Sequence, residues 1–292
     1  MADPILPPGN RGPVRLLAGL EALDAPAQKI GAAVRKIIKP GPAKEALSGS
    51  WLGHPLHPML TDVTIGTWTS ALLLDWLGGD DAERGAERLI GVGLLSAAPV
   101  IASGYSDWAD TEVGNPAVRR IGIVHAATNA VGTSLFAASL AARRRGARGR
   151  GRLLALMGGA AMGTAGYLGG HMSFAEGVGV NRTTFEMPPE GWTPVLDDGA
   201  LGMDETRCVL ADGTAVMIAR TDTGLHALSD HCSHRGGPLH EGELRDGTIR
   251  CPWHDSVFAL EDGALIHGPS AYPQPAWDAR VREGRIEVRR SG

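Results

Sequence analysis

Between residues 58 and 171 the chain carries four apolar blocks of 20 to 26 residues, and beyond residue 176 it carries no such block. The blocks are PMLTDVTIGTWTSALLLDWLGG (58–79), RLIGVGLLSAAPVIASGYSDW (88–108), RIGIVHAATNAVGTSLFAASLAARRR (120–145) and RLLALMGGAAMGTAGYLGGH (152–171). At a rise of about 1.5 Å per residue each can cross a hydrocarbon layer of about 30 Å. This pattern predicts an all-α, four-helix transmembrane bundle. Gly159, Gly163, Gly166 and Gly170 give the fourth block a small-residue face for close helix packing. Trp51, Trp76 and Trp108 fall near block ends, where aromatic belts form. The rival reading is a buried soluble bundle, because the blocks are poor in charge yet only moderately hydrophobic.

From about residue 190 the period shortens to two. AVMIAR, LHALS, TIRC, SVFAL, ALIHG and RIEVRR read as strands, and Asp212–Gly213, Asp246–Gly247 and Asp262–Gly263 as hairpin signals. The chain therefore divides into a tail (1–50), a membrane domain (51–175), a linker (176–190) and an all-β domain (191–292). Within the tail, DAPAQKIGAAVRKIIKPG predicts a basic amphipathic helix begun at Asp24 and stopped by Pro40–Gly41. Such a helix lies on lipid headgroups or packs on the protein.

A net charge of -4 gives no basic signature for nucleic acid. Three cysteines make no disulfide framework. The first residues lack an apolar core behind a basic stretch, so no secretory signal is read there. Four spans put both termini on one side. Seven Lys/Arg in the tail favour a cytoplasmic N-terminus, while six Arg in RRRGARGRGR favour the reverse. The missing signal breaks the tie: the expectation is a multi-pass protein of the cell membrane, in contact with lipid, with its β domain in the cytoplasm.

Two short runs in the β domain pair a cysteine with a histidine. Cys232 and His234 form C-x-H; Cys251 and His254 form C-x-x-H, sixteen residues further on. Two thiolates and two imidazoles suit tetrahedral zinc. They equally suit a [2Fe–2S] cluster with both cysteines on one iron and both histidines on the other. Spacing alone leaves both open. Cys208 has no partner in the motif and reads as core packing; His226, His231, His240 and His267 read as surface or loop residues, with His231 bordering the motif.

The flanks CSHRGGPL and CPWHDSVFAL, with GPSAYPQPAWDARV after them, resemble the Rieske family over about residues 192–290. The resemblance implies an antiparallel β sandwich with a cluster-binding subdomain. It also implies a [2Fe–2S] cluster on Cys232, His234, Cys251 and His254, and a proline-containing loop covering it. Its potential would lie within about -150 to +300 mV. Respiratory members carry a disulfide brace at positions held here by Gly237 and Trp253. Its lack implies the ferredoxin-like subtype and suits a reducing compartment. Of two residues that tune high-potential members, the serine is present as Ser256 and the tyrosine is replaced by Phe258, which implies an intermediate potential. Oxygenase members add a large catalytic domain with a two-His, one-carboxylate iron site, and none is read here.

The first half holds further histidines. GHPLHP places His54 and His57 before the first block, GIVHAATN places His125 in the third, and YLGGHMSF places His171 at the end of the fourth. In a four-span hairpin bundle these positions share one membrane face, and Asp62 joins them. Three uses fit: axial ligation of haem b by His125 and His171, quinone binding with proton relay through Asp62, or plain hydrogen bonding at helix ends. WLGHPLHPMLTDVTIGTWTSALLLD also resembles a family of small bacterial membrane domains of about four spans and uncharacterised function, over about residues 50–172. The combined expectation is a membrane-anchored electron carrier exchanging electrons with a redox partner protein, a quinone or a haem. The alternative is a redox-sensing or accessory subunit whose membrane domain is only an anchor.

Overall fold

The computed structural model describes residues 12–79 and 82–291. Residues 1–11, which carry the first part of the stretch read for a secretory signal, lie outside the described residues. The chain forms two compact units. One runs to Ile37 and resumes over His57–Val178; the other joins Ile38–Leu56 to everything from Gly179 onward.

The first unit is helical. It contains α1 (Pro13–Ala18), α2 (Asp24–Ile37), α4 (Leu56–Leu77, whose first residue belongs to the second unit), α5 (Glu83–Thr111), α6 (Pro116–Arg144) and α7 (Arg148–Phe174). Three of these, α5, α6 and α7, are long and apolar enough to cross a membrane. Helix α4 is not among the three: five threonines and serines between Thr61 and Ser70, with Asp62 and Asp75, dilute its leucines. Helix α6 starts four residues before the apolar block, because Asn115 Oδ1 caps it by accepting from the N–H groups of Ala117 (2.9 Å) and Val118 (3.1 Å).

Small residues let these helices approach, along only part of the face read from the sequence. A Cβ on Gly132 of α6 would lie 3.4 Å from the Gly158 carbonyl oxygen, and one on Gly158 would lie 3.3 Å from that of Gly132. Gly163 and Gly166 face open space, and Gly159 faces Leu72 of α4. Two tryptophans use glycines in the same way. The Trp68 indole lies against Gly93 and donates to Ile90 O (3.3 Å); the Trp108 indole lies against Gly122 and donates to Val118 O (3.4 Å). Trp108 is thus buried packing, not an interfacial belt residue, whereas Trp76 is 88% exposed. Gly122→Ala would force the Trp108 ring from its seat, an overpacking cost of about 1–3 kcal/mol. Thermal unfolding in detergent should show the loss.

Helix α2 packs on α5 and α6. Ala27 is fully buried, Arg35 donates to Ala109 O (2.6 Å) and Glu112 (2.8 Å), and Asp24 accepts from Arg120 (2.9 and 2.7 Å). Of the two readings of this helix, packing on the protein is the one observed.

The second unit is β-rich. Its larger sheet, ordered β1-β10-β9-β4-β3-β2, comprises β1 (Thr193–Asp197), β2 (Thr206–Ala211), β3 (Thr214–Thr221), β4 (Gly224–Ser229), β9 (Ala276–Arg282) and β10 (Arg285–Arg290). The smaller, β5-β6-β7-β8, comprises β5 (Glu243–Arg245), β6 (Thr248–Arg250), β7 (Val257–Ala259) and β8 (Leu265–His267). All pairings are antiparallel. Asp212–Gly213 and Asp246–Gly247 turn two hairpins with both residues at positive φ (47° and 88°, 49° and 72°), the type I′ geometry that Asp-Gly favours. One core lies under the large sheet around Ile218, Trp277, Ile286 and Val288. A second holds Met217, Leu228, Leu239, Ile249, Phe258 and Leu260 together with Cys232 and Cys251.

The segment Ile38–Leu56 contributes α3 (Pro42–Ser48) to this unit. Glu45 meets His267 at 3.1 Å, and Ser50 occupies the space a side chain at Gly268 would need. The membrane-proximal end of the tail therefore belongs structurally with the β sheets.

Candidate metal centre

The two Cys-plus-His loops share one backbone plan. In the first, Cys232 N–H donates to Gly237 O (2.9 Å) and Cys232 O accepts from Gly236 N–H (2.7 Å). In the second, Cys251 N–H donates to Ser256 O (2.8 Å) and Cys251 O accepts from Asp255 N–H (3.1 Å). Each loop thus closes on itself four and five residues after its cysteine. Each also needs a left-handed residue at the fourth position: Gly236 (φ 78°) and Asp255 (φ 63°), residue types that tolerate it. The histidines fall at different offsets, yet the His234 and His254 rings meet edge to face with centroids 5.1 Å apart and planes at 87°. Both are half-buried, and both cysteines are buried.

The two thiols face each other. The Cys232 thiol donates toward Cys251, which, with the backbone N–H groups of Trp253 and His254, lowers the Cys251 thiol to about 7. The partner Cys232 is pushed well above its ordinary value by the same sharing and by burial. Burial, and then the nearby Arg235, His254, Lys44 and Arg182, hold His234 neutral, the form that ligates a metal. Two facing sulfur donors beside two adjoining imidazoles, one of them held neutral, form a donor set that can bind metal.

A third loop, Gly268–Pro275, locks the first two. Gln274 is buried and uses its whole amide: Nε2 donates to Ser229 O (2.6 Å) and His231 O (2.8 Å), and Oε1 accepts from Ser233 N–H (2.9 Å). Ser270 N–H donates to Ser256 Oγ (3.0 Å), and Ser270 Oγ lies 2.9 Å from Ser233 Oγ. Sequence reasoning singled out this loop but not Gln274. One glutamine between two prolines gives no signal until the fold places three backbone groups around it.

The positions read as lacking a brace lie side by side. A Cβ on Gly237 would lie 2.9 Å from Cys251 Sγ and 3.0 Å from the Trp253 ring. The indole covers the gap a disulfide would bridge. Ser256 and Phe258 are both fully buried.

The helical histidines are brought together only in part. His57 Nδ1 lies 3.1 Å from Val100 O and 3.2 Å from Ser103 Oγ, and the ring lies within electrostatic reach of His125. His125 Nδ1 lies 2.8 Å from Ala165 O, and its Nε2 lies 3.0 Å from Asn129 Nδ2, so both ring nitrogens are engaged. His171 is six residues beyond Ala165, about 9 Å along α7, and lies 3.8 Å from Glu176. This arrangement lends no support to a His125–His171 haem pair. Asp62 is exposed on α4, away from the buried face carrying Thr64, Trp68 and Ala71. His54 is exposed and belongs to the other unit. Cys208, expected in the core, is also exposed.

Comparison with known proteins agrees with the two-part architecture. Residues 191–278 match the Rieske [2Fe-2S] domain family, and residues 53–182 match the family described as predicted membrane protein (DUF2231). The C-terminal part of the chain is a Rieske [2Fe–2S] domain, and the N-terminal part belongs to that membrane protein family. Human apoptosis-inducing factor 3 is 32% identical over 76 residues, 26% of this chain but only 13% of that protein's length. The anthranilate 1,2-dioxygenase ferredoxin subunit of Burkholderia cepacia is 29% identical over 97 residues, 33% of this chain and 90% of the subunit. Among solved structures, the ferredoxin of carbazole 1,9a-dioxygenase from Nocardioides aromaticivorans IC177 is 27% identical, with 35% of this chain and all of that one covered at a TM-score of 0.33.

Proposed function

We propose that the chain is a membrane-anchored electron-transfer protein, with Cys232 and Cys251 binding one iron of a [2Fe–2S] cluster and His234 and His254 the other. The observation that carries this is the pair of matched loops, which present two facing thiols and two adjoining imidazoles. Bound there, the cluster takes up and gives back one electron at a time. The chain's own residues set the conditions. The Gln274, Ser233 and Ser270 bonds hold the loops rigid between oxidation states. The cations Arg235, Lys44 and Arg182 near His234 favour the more negative reduced form.

In this reading α4 crosses the membrane with α5, α6 and α7, both termini face the cytoplasm, and the helical unit tethers the carrier. Its partner is a redox protein, in keeping with a relative that is a dioxygenase ferredoxin subunit. The histidines of the helical unit act as internal hydrogen-bonding groups, because both nitrogens of His125 are already engaged.

Ser256 Oγ accepts from Ser270 N–H, which leaves the hydroxyl proton to donate to cluster sulfur. One such bond, worth on the order of 1–3 kcal/mol, corresponds to roughly 40–130 mV for one electron. A redox titration of the detergent-purified chain followed by EPR should give a potential above the plant-type value of about -400 mV. Ser256→Ala should lower it and Phe258→Tyr raise it. A Rieske signal absent from iron-loaded protein refutes the proposal; a potential at the plant-type value refutes the tuning role of Ser256.

A further inference from the structure

The β-rich unit gathers a second set of metal-type donors, two of them on the flanks of the first loop. Cys208 lies within the edge strand β2, Asp230 follows β4, and His240 lies in the 3-10 turn Leu239–Glu241. One donor atom from each lies within 4.8 Å of the other two. Three separate stretches of chain supply them, and each is held by backbone bonds. Cys208 pairs with Met217 across β2–β3. Asp230 N–H donates to Ala215 O (2.9 Å), and Asp230 O accepts from Leu239 N–H (2.9 Å). Thr206 Oγ1 donates to His240 O (2.6 Å), which ties the turn to β2.

The carboxylate is the centre of the group. His240 Nδ1 lies 2.9 Å from both oxygens of Asp230, and His240 N–H donates to Oδ1 at the same distance. The Cys208 thiol faces the same carboxylate. A buried carboxylate is thus flanked by a thiol and an imidazole, each carrying a dissociable proton. Exposure of Cys208 leaves a path in from solvent.

We propose that Cys208, Asp230 and His240 form a second metal site, sharing no ligand with the Rieske cluster, that takes one Zn2+ with a fourth position open to water. The ion replaces the thiol proton, His240 binds as a neutral imidazole through Nδ1 with its ring proton on Nε2, and one thiolate with one carboxylate balances its two charges. The sulfur, nitrogen and oxygen donors suit zinc and exclude calcium and magnesium, which take oxygen ligands. Burial and the Asp230 carboxylate push the bare Cys208 thiol up to about 11, so it is protonated at neutral pH and a poor nucleophile. The His240–Asp230 pair alone would serve as a structural hydrogen bond, but that role has no use for the thiol.

The full-length, iron-loaded chain in detergent should be equilibrated with ZnCl2, dialysed against metal-free buffer, and assayed for zinc and iron together. The expected result is one zinc per chain beside the cluster iron. Cys208→Ser should weaken zinc binding by at least about tenfold with iron content unchanged. CoCl2 in place of zinc should add a thiolate-to-cobalt charge-transfer band to the difference spectrum, absent in Cys208→Ser. Equal zinc in the wild type and Cys208→Ser, or a cobalt difference spectrum without that band, overturns the proposal. His240→Ala is the second test; if it also loses iron the turn has been disturbed, and Cys208→Ser alone decides. The iron assay keeps this outcome separate from that of the Rieske reading.

Discussion

Cys251→Ser is expected to yield a folded chain with no bound cluster: iron falls from about two per chain to background, and the Rieske EPR signal disappears. The thiol of Cys251 sits near 7 in the metal-free site, poised to become a thiolate. A serine hydroxyl in its place stays protonated and is a hard, weak donor toward iron. The loop itself should survive, because its closing bonds use the backbone: Cys251 N–H to Ser256 O and Asp255 N–H to Cys251 O. Circular dichroism of the variant should therefore match the wild type. Cys232→Ser should behave alike, and Cys208→Ser should keep its iron. If Cys251→Ser retained two irons, the assignment of this cysteine as a ligand would be wrong.

How far such a site can be read in advance depends on whether its parts are local. The ligands lie in two short runs with recognisable neighbours, so residue types and spacing exposed them. The equivalence of Gly236 and Asp255 was not visible, because a left-handed φ leaves no mark on an aspartate in a sequence. The Asp-Gly hairpins were legible, since the turn chemistry is contained in two residues. Strands β2 and β9, TRCVLA and AWDARVR, were not among the strands read, although in β9 Trp277, Ala279 and Val281 alternate strictly with Asp278, Arg280 and Arg282 and so carried the period-two signal. The three-residue β5 was too short to show any period. The placement of Ile38–Leu56 with the β sheets rests on Glu45 meeting His267, a contact across 222 residues.

Helix α4 shows the same division. Its ionisable residues drew notice as a class, but Asp62 was favoured and Asp75 passed over. The buried residues Thr64, Trp68 and Ala71 repeat at intervals of three and four, and the next step of that stripe is Asp75. Asp62 lies roughly 100° or more off the stripe, and the structure exposes it. The helical period alone could have chosen between them. The arginines of RRRGARGRGR were likewise read as a free charge run that might orient the protein. Several are engaged instead: Arg144 lies 3.4 Å from Glu87, Arg148 2.8 Å from Glu83, and Arg143 is paired with Asp75.

Asp75→Leu should therefore destabilise the helical unit by about 3–5 kcal/mol. The Arg143 side chain is 0% exposed, and Asp75 holds it with two parallel bonds, one at 2.8 Å from Nη1 to Oδ1 and another from Nη2 to Oδ2. Beyond this carboxylate its recorded partner is Ser139 Oγ at 3.3 Å. Arg152 also approaches Asp75, at 3.8 Å. Leucine at position 75 would leave one guanidinium buried without its counter-ion and a second cation close by. Arg143→Met in the same background should recover most of the loss, because a buried ion pair and an apolar pair of similar volume differ little once both charges are gone. Thermal unfolding of the two single variants and the double variant in detergent completes the cycle. A single variant within about 1 kcal/mol of wild type, the range of an exposed pair, would show that water reaches this charge. The pair would then be an ordinary surface contact at the end of α4, and the arginine run would regain its claim to orient the bundle.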